Sequence, residues 1–207
     1  RTLPTEELLH VEVRVDLAPV AVPAPDDWLR PGTTLYYGIS YDDNPITHVV
    51  PMAFTVRVGA GSDGSRMLSW SADIDPNRLL DVTYDRIKTG RRQVPAEQVE
   101  TGTRHSDSFL WGNDIGDTTS IFLSQKTLAD LHALGGAAFH DLEVSETEGV
   151  LVRKADLDVT VQVDDGLWTL KTLVAIAHAG EGIYVIADDA TFPLLLSAQR
   201  PGYRMKL

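Results

Sequence analysis

The chain has 207 residues, with 18 basic and 30 acidic side chains, six His and no Cys, giving a formal net charge of −12. That balance argues against a nucleic-acid binder, which needs a basic face to displace condensed counterions, and disfavours adsorption to anionic lipid. The missing Cys removes disulfides, thiolate metal sites and Cys nucleophiles together, while a hydrophobic content of 43% suits a folded globular chain.

The hydrophobic period is mostly two, as in strands. His10–Leu17 alternates Val11, Val13, Val15 and Leu17 with polar residues and predicts a half-buried strand. Pro19, Pro23, Pro25 and Pro31 cannot donate to a ladder, so 18–31 is an extended connection, with Asp26-Asp27-Trp28 able to open a short helical turn. Thr33–Tyr41 is the next strand, with Leu35, Tyr37, Ile39 and Tyr41 on one face. Asp42-Asp43-Asn44-Pro45 makes a turn. Thr47–Val58 forms one long strand, or two bent near Pro51. Gly59–Gly64 turns, and Arg66–Ala72 returns as the second arm of a hairpin.

Pro76–Gln98 is mixed. Leu79, Leu80, Val82 and Tyr84 suit a strand, whereas the polar stretch Lys88–Gln98 suits a mobile loop. The one basic cluster, Arg86, Lys88, Arg91, Arg92 and Arg104, reads as a solvated loop rather than an anion site. Phe109–Trp111 is a strand end, Gly112–Thr119 a loop and Ser120–Leu123 a short buried strand. Gln125–Leu134 is the one clear helix. Ser124 is its N-cap, Leu128, Leu131 and Leu134 share one side, and Gly135-Gly136 stops it. It is too short to stand alone and must pack on a sheet.

The last third is a meander. Leu157–Val163 alternates, Asp164-Asp165-Gly166 turns, and Leu167–Ala177 returns. Ile183–Ile186, Phe192–Ala198 and Gly202–Lys206 complete it, with turns at Ala179–Gly182 and Asp188–Ala190. The expected fold is mainly β: an antiparallel sandwich or barrel-like sheet with one short packed helix at about 125–134. Residues 1–207 read as a single β-rich domain, with weak candidate boundaries at 86–106 and 135–136. The longest nearly apolar stretches, Leu173–Ala177 and Ile183–Ala187, are strand-sized, so no transmembrane helix is expected. The chain starts at Arg1 rather than Met and reads as a processed or trimmed product.

Of the 30 acids, 21 are Asp, and many sit in turn strings, where Asp side chains bond neighbouring amides. Asp73-Ile74-Asp75-Pro76-Asn77 starts like a Ca²⁺ loop but has Arg78 where Gly belongs and Tyr84 where Glu belongs. Asn113, Asp114 and Asp117 in a Gly-rich loop are the better Ca²⁺ candidates. No other cofactor is expected. His105-Ser106-Asp107-Ser108 offers hydrolytic residue types, but adjacent side chains diverge and cannot form a triad among themselves. Asp117-Thr118-Thr119-Ser120 lacks the Gly of an aspartic-protease motif. There is no His-Glu-x-x-His motif, His132 and His140 do not face one ligand, and His178 reads as a satisfied, partly buried residue. Tyr36, Tyr37, Tyr41, Trp70, Trp111 and Trp168 read as packing residues, with a stacking surface for sugar or peptide as the sharper alternative.

The stretch Ile183–Leu196 with Gly202-Tyr203-Arg204-Met205-Lys206 resembles the closing hairpin of some uncharacterised bacterial extracytoplasmic β-rich proteins, and Ser120–Leu134 is similar to a segment preceding it in such chains. The resemblance implies a periplasmic or secreted location, with a cytoplasmic one still open, and carries no catalytic residue. The expected function is non-catalytic: binding or structural interaction with a protein partner through a sheet edge. The alternatives are a hydrolase with its site near 105–120 and a small-ligand-binding β-barrel.

Overall fold

The computed structural model describes residues 22–24, 29, 31–42, 49–61, 63–74, 87–106, 118–142, 144, 148–163, 166–177 and 182–207. The strand expected at His10–Leu17, the helical turn at Asp26–Trp28 and the strand end at Phe109–Trp111 lie outside them, as does His178. In chain order the elements are β1 (Val22–Pro23), β2 (Thr34–Asp42), β3 (Val49–Ala60), β4 (Arg66–Ile74), β5 (Ile87–Val94), α1 (Ala96–Thr101), β6 (Arg104–His105), α2 (Gln125–Leu134), β7 (Gly136–Asp141), β8 (Gly149–Val163), β9 (Gly166–Ala177), β10 (Gly182–Ala187), β11 (Leu195–Arg200) and β12 (Tyr203–Lys206).

The described strands form one 12-stranded sheet in the order β5-β4-β3-β2-β12-β11-β10-β9-β8-β7-β6, with β1 paired to β9. Two antiparallel meanders, β2 to β5 and β7 to β12, join where β12 pairs with β2. Only β6 on β7 and β1 on β9 run parallel. The mainly-β, antiparallel expectation with one short packed helix holds. The sheet does not close, so these strands enclose no barrel interior for a small ligand.

Period-two patterning sets the two faces. On the inner face Leu35, Val56, Val58, Leu68, Leu173, Ala175, Tyr184, Ala198 and Met205 are all buried. Over them lie α2 and the segment Ile121–Leu123, itself buried. That segment was expected to be a strand. It makes a single bridge, Phe122 to Leu194, and is tied to its neighbours by Leu123 N to Pro193 O at 2.9 Å and Leu195 N to Ile121 O at 2.8 Å. One bulge, between Arg153 and Ala155, keeps β8 in step with both β7 and β9.

The helix α2 follows its sequence signals residue by residue. Ser124 Oγ accepts from Thr127 N at 3.1 Å, and Gly135 closes the helix at φ 72°. Leu128 and Leu131 are buried, while Leu134 is 78% exposed. Ser124→Ala is therefore expected to cost about 1 kcal/mol in urea unfolding, with an unchanged m-value.

The reading of Lys88–Gln98 as a mobile loop is overturned: the stretch supplies most of β5 and the start of α1. Helix α1 has Pro95 at its N-cap with no side-chain cap bond, so it shows no start signal of the usual kind. Gly90 in β5 fits because the Trp70 indole occupies the space a Cβ would need.

Candidate functional site

Two regions merit chemical scrutiny, and the first is buried. Near His105 a polar cluster gathers from several elements. Arg92, His105, Ser106, Thr118, Thr119, Ser120, Asp141 and Arg200 are all buried. Burying two guanidinium groups is costly unless their donors are met. The two terminal nitrogens of Arg92 meet this need in part: they reach the carbonyls of Ser106 at 3.2 Å, Thr118 at 3.3 Å and Thr119 at 3.4 Å, and donate to the Thr118 hydroxyl, while Nε makes no hydrogen bond among the described residues. The expectation that Arg91 and Arg92 share a solvated loop is thus wrong for Arg92. Adjacent strand residues point to opposite faces, so Arg91 is exposed and Arg92 buried.

Arg200 Nε donates to Asp141 Oδ2 at 2.6 Å, and the Tyr184 hydroxyl donates to the same oxygen. The Arg200 guanidinium also lies over the rings of Tyr203, at 4.9 Å, and Tyr184, at 5.8 Å. Burial, reinforced by the Asp141 carboxylate, holds the Tyr184 phenol well above its ordinary value of 10.0, against an opposing pull from Arg200. The fold thus prefers the neutral phenol. This preference is fully expressed below pH 10, and the stability it gives is lost as pH rises above 10, where the unfolded chain ionises. The slope is about 1.4 kcal/mol per pH unit. Stability measured against pH should accordingly fall less steeply above pH 10 for Tyr184→Phe than for the native chain.

The hydrolase alternative placed its site at 105–120. His105 lies in β6, fully buried, with its ring stacked on Phe139 at 5.6 Å. Its Nδ1 is 3.2 Å from Thr119 Oγ1, which donates to the Arg104 carbonyl at 3.2 Å. A hydroxyl has one proton, so while Thr119 gives it to the Arg104 carbonyl it accepts from His105 Nδ1–H. Ser106 and Ser120 are buried as well, at 1% and 0% exposure. The cluster therefore works as a tie. It fastens the chain at 104–106 and 118–120 to β5 and β7, and through Asp141 it fastens β7 to β10 and β11.

The Ca²⁺ candidates Asn113, Asp114 and Asp117 lie outside the described residues, as do Asp107 and Ser108 of the His105 string. Among the described residues no group of three His, Asp or Glu side chains could hold a metal ion. No helix among them is long and apolar enough to cross a membrane.

The second region is the outer face of the sheet, opposite the core. The register lines up Val152, Ile176, Ile183, Gln199 and Arg204 across β8 to β12. The next row is Ala155, Val174, Val185, Ser197, Lys206 and, on β2, Gly38. Across β2 to β5 run Tyr36, Thr55, Ser71 and Thr89, then Thr34, Arg57, Ser69 and Arg91. One half is aliphatic and exposed in part: Val150 is 56% exposed, Val152 and Ile183 are each 38%, and Leu157 is 48%, while Val174, Ile176 and Val185 are half-buried and Leu170 and Thr172, further along the same side of β9, are buried. The other half carries Arg57, Arg91, Arg204 and Lys206, all exposed, and Tyr36 at 70% exposure.

The ion pairs seen among the described residues lie elsewhere. They join Lys126 to Asp130, His132 to Asp188, Arg153 to Asp156, Lys171 to Asp158 and Arg200 to Asp141. The sequence revealed the alternation of each strand. It could not show that strands distant in the chain pool their outward residues on one face. No protein-family model matches the chain, and neither the curated proteins nor the solved structures contain a match.

Proposed function

We propose that this chain is a non-catalytic extracytoplasmic interaction protein whose docking surface is the outer face of its sheet. One observation carries the reading: a single sheet face with exposed aliphatic side chains on β8 and β10 and, on β3, β5 and β12, cations that make no ion pair among the described residues. Soluble proteins seldom leave contiguous apolar patches open without a use. Docking through an edge is the weaker route. One end of the described sheet is β6, only two residues long, and the other is β5, which carries two adjacent arginines. Short and charged edges resist strand addition. The polar cluster near His105 supports the same reading, because it is buried and most of its hydrogen bonds run to backbone or within the cluster.

The test is photo-crosslinking in a host envelope extract, with the reactive group at Tyr36 and, as control, at Leu134. Discrete adducts from position 36 that are missing from position 134 support the reading. Equal adducts from both positions, or turnover of a model ester or peptide by the purified protein, contradict it.

A further inference from the structure

We infer that the occupant of the outer face is an acidic polypeptide segment carrying aliphatic side chains; this rests on the reading of that face as the docking surface. Arg57, Arg91, Arg204 and Lys206 project from alternate strands of one sheet half, in a chain with a net charge of −12. An acidic protein has ample carboxylates to neutralise four surface cations. Here the visible ion pairs are placed on α2, β8, β9 and the core instead, and none of these four cations is in one. The face is therefore locally complementary to carboxylates, although the molecule as a whole repels them.

The spacing narrows the ligand. Neighbouring strands lie about 4.8 Å apart, so cations two strands apart on β5 and β3 are about 10 Å apart. Arg57 and Lys206 are further separated along the strands, with Tyr36 between them in register. A single small anion cannot bridge such distances, whereas an extended chain presents carboxylates at this interval. The same rows run on into Ile183, Ile176 and Val152. Phosphate and sugar gain nothing from an aliphatic surface, while Leu, Ile or Val side chains do. A polypeptide with both kinds of side chain satisfies both halves together. An anionic membrane also has both chemistries, but it must approach a strongly acidic molecule as a broad sheet of charge, which long-range repulsion opposes.

The probe is a synthetic peptide with Glu at alternate positions of one half and Leu or Val at alternate positions of the other, with Ser and Thr between them, so that both kinds of side chain share one face of the extended chain; it is titrated by fluorescence anisotropy against the whole chain. It should bind, with affinity falling as salt rises. Arg57→Glu with Arg91→Glu, Arg204→Glu and Lys206→Glu should weaken it about tenfold or more, as should Val152→Ser with Ile183→Ser. All these positions are exposed, so the variants should fold; the milder pair Arg57→Gln and Arg91→Gln serves if the reversal does not. Equal binding of a peptide with Lys in place of Glu overturns the inference. So does equal binding by the charge-reversed chain, or capture by phosphatidylglycerol vesicles when the peptide fails. Crosslinking at Tyr36 that persists while the acidic peptide fails would reject the partner's chemistry and leave the docking face standing.

Discussion

Replacing Asp141 by Ala is expected to lower the unfolding free energy by about 3–5 kcal/mol. Asp141 is fully buried, and one oxygen accepts from both Arg200 and Tyr184. Its removal strands a guanidinium that is only 6% exposed, together with a phenol that has lost its acceptor. The penalty comes from the partners left behind, not from any large net worth of the pair. The double change Asp141→Leu with Arg200→Met should therefore recover much of the loss. Urea unfolding of Asp141→Leu, Arg200→Met and the double variant checks this, and additive costs in the double variant would show that the two groups do not act as one unit.

Phe122→Ala should cost a similar amount, about 3–5 kcal/mol. The ring is fully buried and meets Phe192 at 4.6 Å between centroids. Its backbone bridges to Leu194. Removing it leaves a cavity between the Ile121–Leu123 segment and the 192–195 stretch. Thermal unfolding should show a lowered Tm, with Ser120 and Ser124 exchanging their amides sooner than those of β3 and β4.

Strand patterning was the most legible part of the fold. Leu35 and Tyr37 alternate with Tyr36, and the structure buries the first two and exposes the third. Helix α2 was equally plain, because Ser124 and Gly135 mark its ends by local chemistry. Strand β7 went unnoticed, since Gly136-Ala137-Ala138-Phe139 has little β-branched content and follows the helix stop directly. Strand β5 was hidden by its polar outward residues and by an arginine facing inward. Its identity as a strand depends on pairing with β4, which no local window contains.

The candidate site was less legible for the same reason. Arg204 and Lys206 join Arg57 only because β12 pairs with β2, and Val152 joins Ile183 only through β9. The acidic total pointed away from a cationic surface. The charge count describes the molecule, whereas a docking face is a local property set by register.

The absence of Cys gives a direct measure of that face, because any thiol introduced is the only one present. Single Cys residues at Val152 and Tyr36 on the outer face, and at Leu151 on the inner face, can be titrated with a neutral thiol reagent under native conditions. The structure gives exposures of 38%, 70% and 0% at these positions. Labelling at 152 and 36 should proceed at close to the unfolded rate, with 151 slowed to the rate at which the fold opens. Protection of position 152 equal to that of 151 would mean that the outer face is covered in the native protein, and would contradict the account.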